Sequence, residues 1–147
     1  MSDTSHLSVT AATRAPGLQT RISTPPRGEE PGATTAADVP RAEGGTNSAP
    51  SPTQMLLGAL AACKTMTAQM YAARKSWPLD EARVNVRYDE STSPPQLIAD
   101  VELAGDLTDE QRERVLTVIE KCHVQQIIHA GPRVVSQLRP VSEHAAD

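Results

Sequence analysis

Residues 51–75 read SPTQMLLGALAACKTMTAQMYAARK and carry the longest helical pattern in the chain. Ser51 as N-cap, Pro52 at the first helical position and Gln54 three residues after the cap form an S-x-x-Q capping box, so a helix begins here. Trp77-Pro78 ends it near Lys75, for a length of about 35 Å at 1.5 Å per residue. Apolar residues occur all round its first three turns, which predicts a central helix covered on most sides. Stepping 100° per residue puts Leu56, Cys63, Met70 and Arg74 on one line, flanked by Ala59, Leu60, Met66 and Thr67. Cys63 is therefore expected on an apolar stripe, with Met66 and Met70 in the core. Arg74, three turns away, reads as a surface or intersubunit charge.

Outward from this helix the pattern changes to strands. Upstream, LSVTAATR and LQTRIST alternate as short strands about the turn Ala15-Pro16-Gly17. PPRGEEPG is a loop by composition, ATTAADVP a third strand, and RAEGGTNSAP a second loop; a largely disordered N-terminal half is the alternative. Downstream, EARVNVRYDE and PQLIADVELAGDL alternate as a hairpin. Thr108 and Gln111 form a second capping box, opening a helix with Val115, Val118, Ile119 and Cys122 on one face. Arg112, Glu113, Glu120 and Lys121 fall on its solvated side. HVQQIIHA continues helical until Gly131-Pro132, RVVSQLRPV is expected as a closing strand, and the tail at 142–147 as frayed. The order predicts one α+β domain over residues 1–147: a β and loop region at 1–50, then a helix-strand-helix-strand core packed on antiparallel sheet. With each cysteine on the buried face of its own helix, the two sulfurs are expected to meet.

Composition narrows the function. The 147 residues contain no Phe, one Trp and two Tyr, so small aliphatic side chains must fill the core. Each buries little area, about 1.5–3 kcal/mol for a Leu or Val, which favours further burial in a homo-oligomer. A net charge of −4, with basic residues scattered, excludes a nucleic-acid or anionic-membrane partner as the expectation. The N-terminus lacks the basic start and apolar run of a signal peptide, and Lys64 breaks the longest apolar stretch well short of the roughly 20 residues of a membrane span. These features predict a cytoplasmic protein, where two cysteines are not expected to form a permanent disulfide and any disulfide is transient and chemical; a packed core thiol is the alternative for each. Two cysteines without clustered His are too few for structural zinc, and no bound cofactor is expected.

SPTQMLLGALAACKTMTAQMYAARKSWPL resembles the helix signature of the OsmC/Ohr family, named for osmotically inducible protein C and organic hydroperoxide resistance protein. GGTNSAPSP is similar to that family's Gly-rich approach to the helix, and EKCHV to its second-cysteine motif, usually Cys-Pro-Val. The resemblance implies an intertwined homodimer with two long helices back to back between sheets from both chains. It further implies a thiol peroxidase in which Cys63 attacks an organic hydroperoxide and Cys122 resolves the sulfenic acid as a disulfide. An external dithiol, often a lipoyl group in the family, would restore the thiols.

Activation of Cys63 is the open chemical question. Burial in apolar surroundings opposes a thiolate, and Cys63 is about three turns from the N-terminus of its own helix, beyond the reach of that dipole. Family members that reduce hydroperoxides use an Arg from an N-terminal segment, held by a Glu near the helix start. In this sequence the latter positions hold Thr53 and Gln54, and Gln54 reads as the capping-box partner. Arg14 is the candidate cation, with Arg21 second. His123 replaces the family's usual Pro and reads as a solvated helix-end histidine that lends charge to a sulfur at most secondarily. The alternative function is a non-catalytic dimer of the same fold that binds a small apolar ligand or acts as a thiol redox sensor.

Overall fold

The computed structural model of the chain describes residues 7–141. Strands β1 (Thr10–Thr13), β2 (Thr20–Ser23) and β3 (Thr34–Ala37) precede the long helix α1 (Pro52–Arg74). Strands β4 (Glu81–Asp89) and β5 (Gln96–Ala104) follow, then helices α2 (Asp109–Ile119) and α3 (His123–Ala130). The α+β class holds, with two antiparallel sheets: β1-β2-β3, and the β4-β5 hairpin. Among the described residues, the N-terminal region thus forms a three-stranded sheet with connecting loops.

Both capping boxes close as the sequence predicts. Ser51 Oγ accepts from the Gln54 amide at 3.3 Å while Gln54 Oε1 accepts from the Ser51 amide at 2.9 Å. Thr108 and Gln111 repeat the arrangement at 3.1 and 3.0 Å. These partners satisfy the N–H groups that a helix start leaves without intrahelical acceptors.

One face of α1 is buried, carrying Leu60, Lys64, Ala68, Tyr71 and Ala72 at helical spacing. It packs on α2, where Val115 and Ile119 are both 0 % exposed, and on one face of the hairpin. The hairpin register places Ala82 opposite Leu103, Val84 opposite Val101 and Val86 opposite Ala99, so these side chains share the face turned to α1. The other face carries Arg83, Arg87, Asp100 and Glu102 in exposed ion pairs. Arg112, expected on the solvated side of α2, instead docks its guanidinium on the carbonyls of Leu103 and Gly105 and ties α2 to the end of β5.

A polar knot holds the approach to α1. The buried Asp38 carboxylate accepts from the amides of Val39, Thr46 and Ser48 at 2.8, 3.1 and 3.0 Å. It also accepts from the Thr46 and Ser48 hydroxyls at 2.5 and 2.8 Å. The Thr46 hydroxyl foremost, then the Ser48 amide and hydroxyl, hold this carboxyl far below the usual carboxylate range. Gly45 is required here, because a Cβ would stand 2.0 Å from the Val39 carbonyl oxygen. The Asp38 amide donates to the Pro50 carbonyl at 3.1 Å, linking the knot to the first residues before α1.

Three further expectations are corrected by the fold. Residues 133–141 form no strand; they are exposed throughout, with Val134, Val135, Leu138 and Val141 between 70 % and 101 % accessible, because no strand among the described residues pairs with them. Met66 and Met70 are not core: with Leu56 they lie on the outer side of α1, 63 %, 68 % and 55 % exposed. Cys122 is not on the face of α2, which ends at Ile119; it is the N-cap of α3. The tail at 142–147 lies outside the described residues.

Two measurements test this packing. Ile119→Ala is expected to cost about 2–5 kcal/mol in urea unfolding, the range for truncating a fully buried aliphatic side chain. For Asp38, a depressed folded pKa means stabilisation that is present above the unfolded value of about 3.9 and lost as pH falls through the folded value. Asp38→Asn should therefore lower the thermal midpoint at pH 7, and its deficit against wild type should shrink steadily in scans run below about pH 4.

Candidate functional site

The two cysteines meet where α2 gives way to α3. After Ile119 the chain turns sharply: the Lys121 amide bonds back to Val118 O at 3.0 Å and the Cys122 amide to Ile119 O at 3.2 Å. Cys122 then takes an extended conformation and starts α3, its side chain directed into the seam with α1 and only 2 % exposed. Cys63 stands at the border between the buried face of α1 and its outer stripe, and is half-buried. Both thiols are free and their sulfurs interact.

The first turn of α3 donates to this pair. The Val124 amide, at the second helical position, points to Cys63 Sγ at 3.5 Å. The Gln125 amide faces the Cys122 sulfur and favours its ionised form, without closing a regular capping bond. Cys63 is remote from the N-terminus of its own helix but sits on that of another, where unsatisfied N–H groups and the positive end of the helix dipole favour an anion. Sequence reasoning missed this because the donor lies 61 residues away along the chain. Burial pushes the Cys122 thiol up from its ordinary value, and Cys63 pushes it the same way. The Gln125 amide and the Lys64 ammonium act against both.

Lys64, which the sequence shows only as a break in an apolar run, belongs to this site. It is 2 % exposed. Its Nζ donates to Glu120 Oε1 at 2.9 Å, Gln125 Oε1 at 2.5 Å and Ile119 O at 3.3 Å. Lys64, Glu120, Gln125 and His129 also line a cavity of about 490 Å³, closed on its apolar side by Leu60, Leu97, Ala99 and Ile128. Hydrogen bonds from Lys64 and then Gln125 lower the Glu120 pKa.

The remaining predicted residues are elsewhere in the chain. Arg14 follows β1 and, with Arg21, lines a separate concavity of the N-terminal sheet whose lining includes neither cysteine. Thr53 and Gln54 remain at the start of α1, Gln54 engaged in its capping box. His123 is exposed at the first position of α3. Among the described residues, no group of three or more His, Cys, Asp or Glu side chains is placed to hold a metal ion, and no helix is long and apolar enough to cross a membrane.

A family model described as OsmC-like protein matches residues 45–137, from the Gly-rich approach through both cysteines to the segment after α3. The chain belongs to the OsmC-like family. Solved structures share the fold. A Psychrobacter arcticus protein named for osmotic stress induction and a detoxification response superposes with a TM-score of 0.64 at 18 % identity, covering 82 % of this chain and 87 % of its own. A Vibrio cholerae protein named for organic hydroperoxide resistance, solved with captopril in one of its active sites, gives 0.55 at 22 % identity over 82 % and 83 %. A Legionella pneumophila organic hydroperoxide resistance protein OsmC gives 0.55 at 18 % over 82 % and 86 %. No curated protein is similar enough to match.

The geometry of this OsmC-like dithiol makes the two cysteines unequal in access. Iodoacetamide at neutral pH should label half-buried Cys63 at least about tenfold faster than Cys122, with peptide mass mapping as the readout, and the gap should close in denaturant.

Proposed function

We propose that the chain is a thiol-dependent peroxidase that reduces organic hydroperoxides through Cys63 and Cys122. The observation that carries this reading is the pairing of a half-buried and a buried thiol at the N-terminus of α3, with a backbone donor on the more accessible sulfur. Membership of the OsmC-like family and the hydroperoxide-resistance names of the structural neighbours support it.

The chemistry follows the order of access. The Cys63 thiolate attacks the terminal peroxide oxygen, the O–O bond breaks, and the alkoxide leaves as the alcohol after taking a proton. Cys63 is then a sulfenic acid. Cys122, the N-cap of the helix whose Val124 amide points to Cys63, attacks that sulfur; the S–S bond forms, the S–O bond breaks, and water departs. An external dithiol of the lipoyl type reduces the disulfide by exchange and leaves oxidised. The hydroperoxide-resistance names of the structural neighbours favour organic hydroperoxides over hydrogen peroxide as the substrate class.

The active unit in this reading is a homodimer. Three surfaces support it: the apolar outer stripe of α1, the exposed apolar residues of 133–141, and an N-terminal sheet that packs mainly within itself. A second copy can cover all three, and Arg14 is then the guanidinium that an N-terminal sheet brings to Cys63 across the contact. Light scattering at micromolar concentration should give twice the chain mass of 15.7 kDa; a monomer would count against the dimer.

The catalytic reading has its own test. One equivalent of cumene hydroperoxide should remove both free thiols of wild type within seconds, and sulfenate should be trapped in Cys122→Ser but not in Cys63→Ser. Arg14→Ala should slow the first step by about tenfold or more, the loss of one charge-assisted contact. Thiols that survive the peroxide in all variants would sink the reading.

A further inference from the structure

Lys64 is the buried charge that the scheme above leaves unused. A buried ammonium is costly, and the effective penalty is several kcal/mol unless partners satisfy all its donors. Here three acceptors do so, and their positions are informative. Ile119 and Glu120 come three and two residues before Cys122, and Gln125 three residues after it. A single side chain from α1 therefore grips both sides of the turn that presents the Cys122 sulfur, while its backbone neighbour Cys63 supplies the other sulfur. The Val124 amide reaching Cys63 completes the loop of contacts.

We propose that Lys64 is a positioning residue for disulfide closure: its grip on Ile119, Glu120 and Gln125 holds the Cys122 sulfur at Cys63 and sets a fixed positive charge beside the attacking Cys122 thiolate. The proposal rests on the dithiol being a redox pair. In the step it serves, Cys122 gives its proton to solvent and the thiolate attacks the Cys63 sulfenyl sulfur. The S–S bond forms as S–O breaks, and the departing hydroxide takes a proton to become water. Lys64 touches no reacting atom in the resting structure; it acts through the turn and through its field. The ionisable groups around the turn are Cys63 and Lys64 on α1, Glu120 and Lys121 before Cys122, and His123 and His129 on α3, with His129 acting on Glu120.

The test separates this role from packing and from the peroxidase reading. In a Cys63→Ser background, ultraviolet thiolate absorbance titrates Cys122 without any peroxide. Lys64→Met is expected to raise that midpoint by about one pH unit, Lys64→Arg to leave it within a few tenths, and Glu120→Gln to lower it by releasing the ammonium from its counter-ion. With Cys63 present, Lys64→Met should slow disulfide closure driven by diamide about tenfold at pH 7, and Lys64→Arg should restore it to within about twofold of wild type. A midpoint that Lys64→Met leaves unchanged, or one that Lys64→Met and Lys64→Arg raise equally, overturns the proposal, as does a rise in Glu120→Gln. Circular dichroism identifies any variant that fails to fold, and the opposite sign expected for Glu120→Gln keeps the proposal open to refutation in that case. Wild type that does not react with hydroperoxide overturns the peroxidase reading, whereas the Cys122 midpoints still decide for or against Lys64.

Discussion

The docking of the α2–α3 turn against α1 is the contact on which the site depends. Val115, Ile119 and Cys122 are the largest fully buried side chains of the described residues, and they follow one another along this seam. Burying the two aliphatic ones is worth about 1.5–3 kcal/mol each, enough to fix where α2 ends relative to α1. Because α2 stops at Ile119 rather than running through Cys122, the turn that follows must start a new helix at this spot. The N–H groups of that helix then point back toward α1, at the level of Cys63. A longer α2 would keep the same apolar burial and lose the donor. Position and chemistry thus come from the helix break, not from the cysteines.

Charge at the same seam obeys a different balance. An exposed Lys–Glu pair contributes about 0–1 kcal/mol, and Glu120 is 55 % exposed, so solvent screens much of its attraction for Lys64. That pair alone would not offset the cost of taking an ammonium out of water. The carbonyl of Ile119 and the amide oxygen of Gln125 make up the difference by satisfying the remaining donors. An aliphatic residue at position 64 would fit the inner face of α1 at least as well for stability. The ammonium is therefore better understood through the sulfurs beside it than through the folding energy of the domain.

Much of the fold was legible because its signals are local. S-P-T-Q and T-D-E-Q each place a helix start within four residues, and the alternation in EARVNVRYDE and PQLIADVELA gives both strands and their facing. The site was legible only in part. Cys63 and Cys122 are visible as candidates, but the donor to Cys63 and the acceptors of Lys64 lie 55–61 residues away in sequence, and no spacing rule spans that distance. The capping logic that located α1 and α2 is silent for α3, whose N-cap is a cysteine with no regular side-chain cap bond. The closing strand and the core placement of Met66 and Met70 failed for a shared reason. Hydrophobic pattern records that a residue is apolar, not whether the elements of its own chain cover it.

That ambiguity has a consequence for where the thiols sit. On α1, Lys64 faces the seam and Met66 and Met70 face outward, so Cys63 lies on the line dividing the buried face of the helix from its exposed apolar stripe. Cys122 is sealed within the chain, where burial foremost, then Gln125, Cys63 and Lys64, set its environment. In the proposed dimer the second copy would change the surroundings of Cys63 and leave those of Cys122 nearly untouched. In that reading, access of peroxide to Cys63 and any cation brought from an N-terminal sheet would depend on assembly, while closure of the proposed disulfide would rest on contacts within each chain. The two halves of the redox cycle would be controlled by different contacts, the first between chains and the second within one.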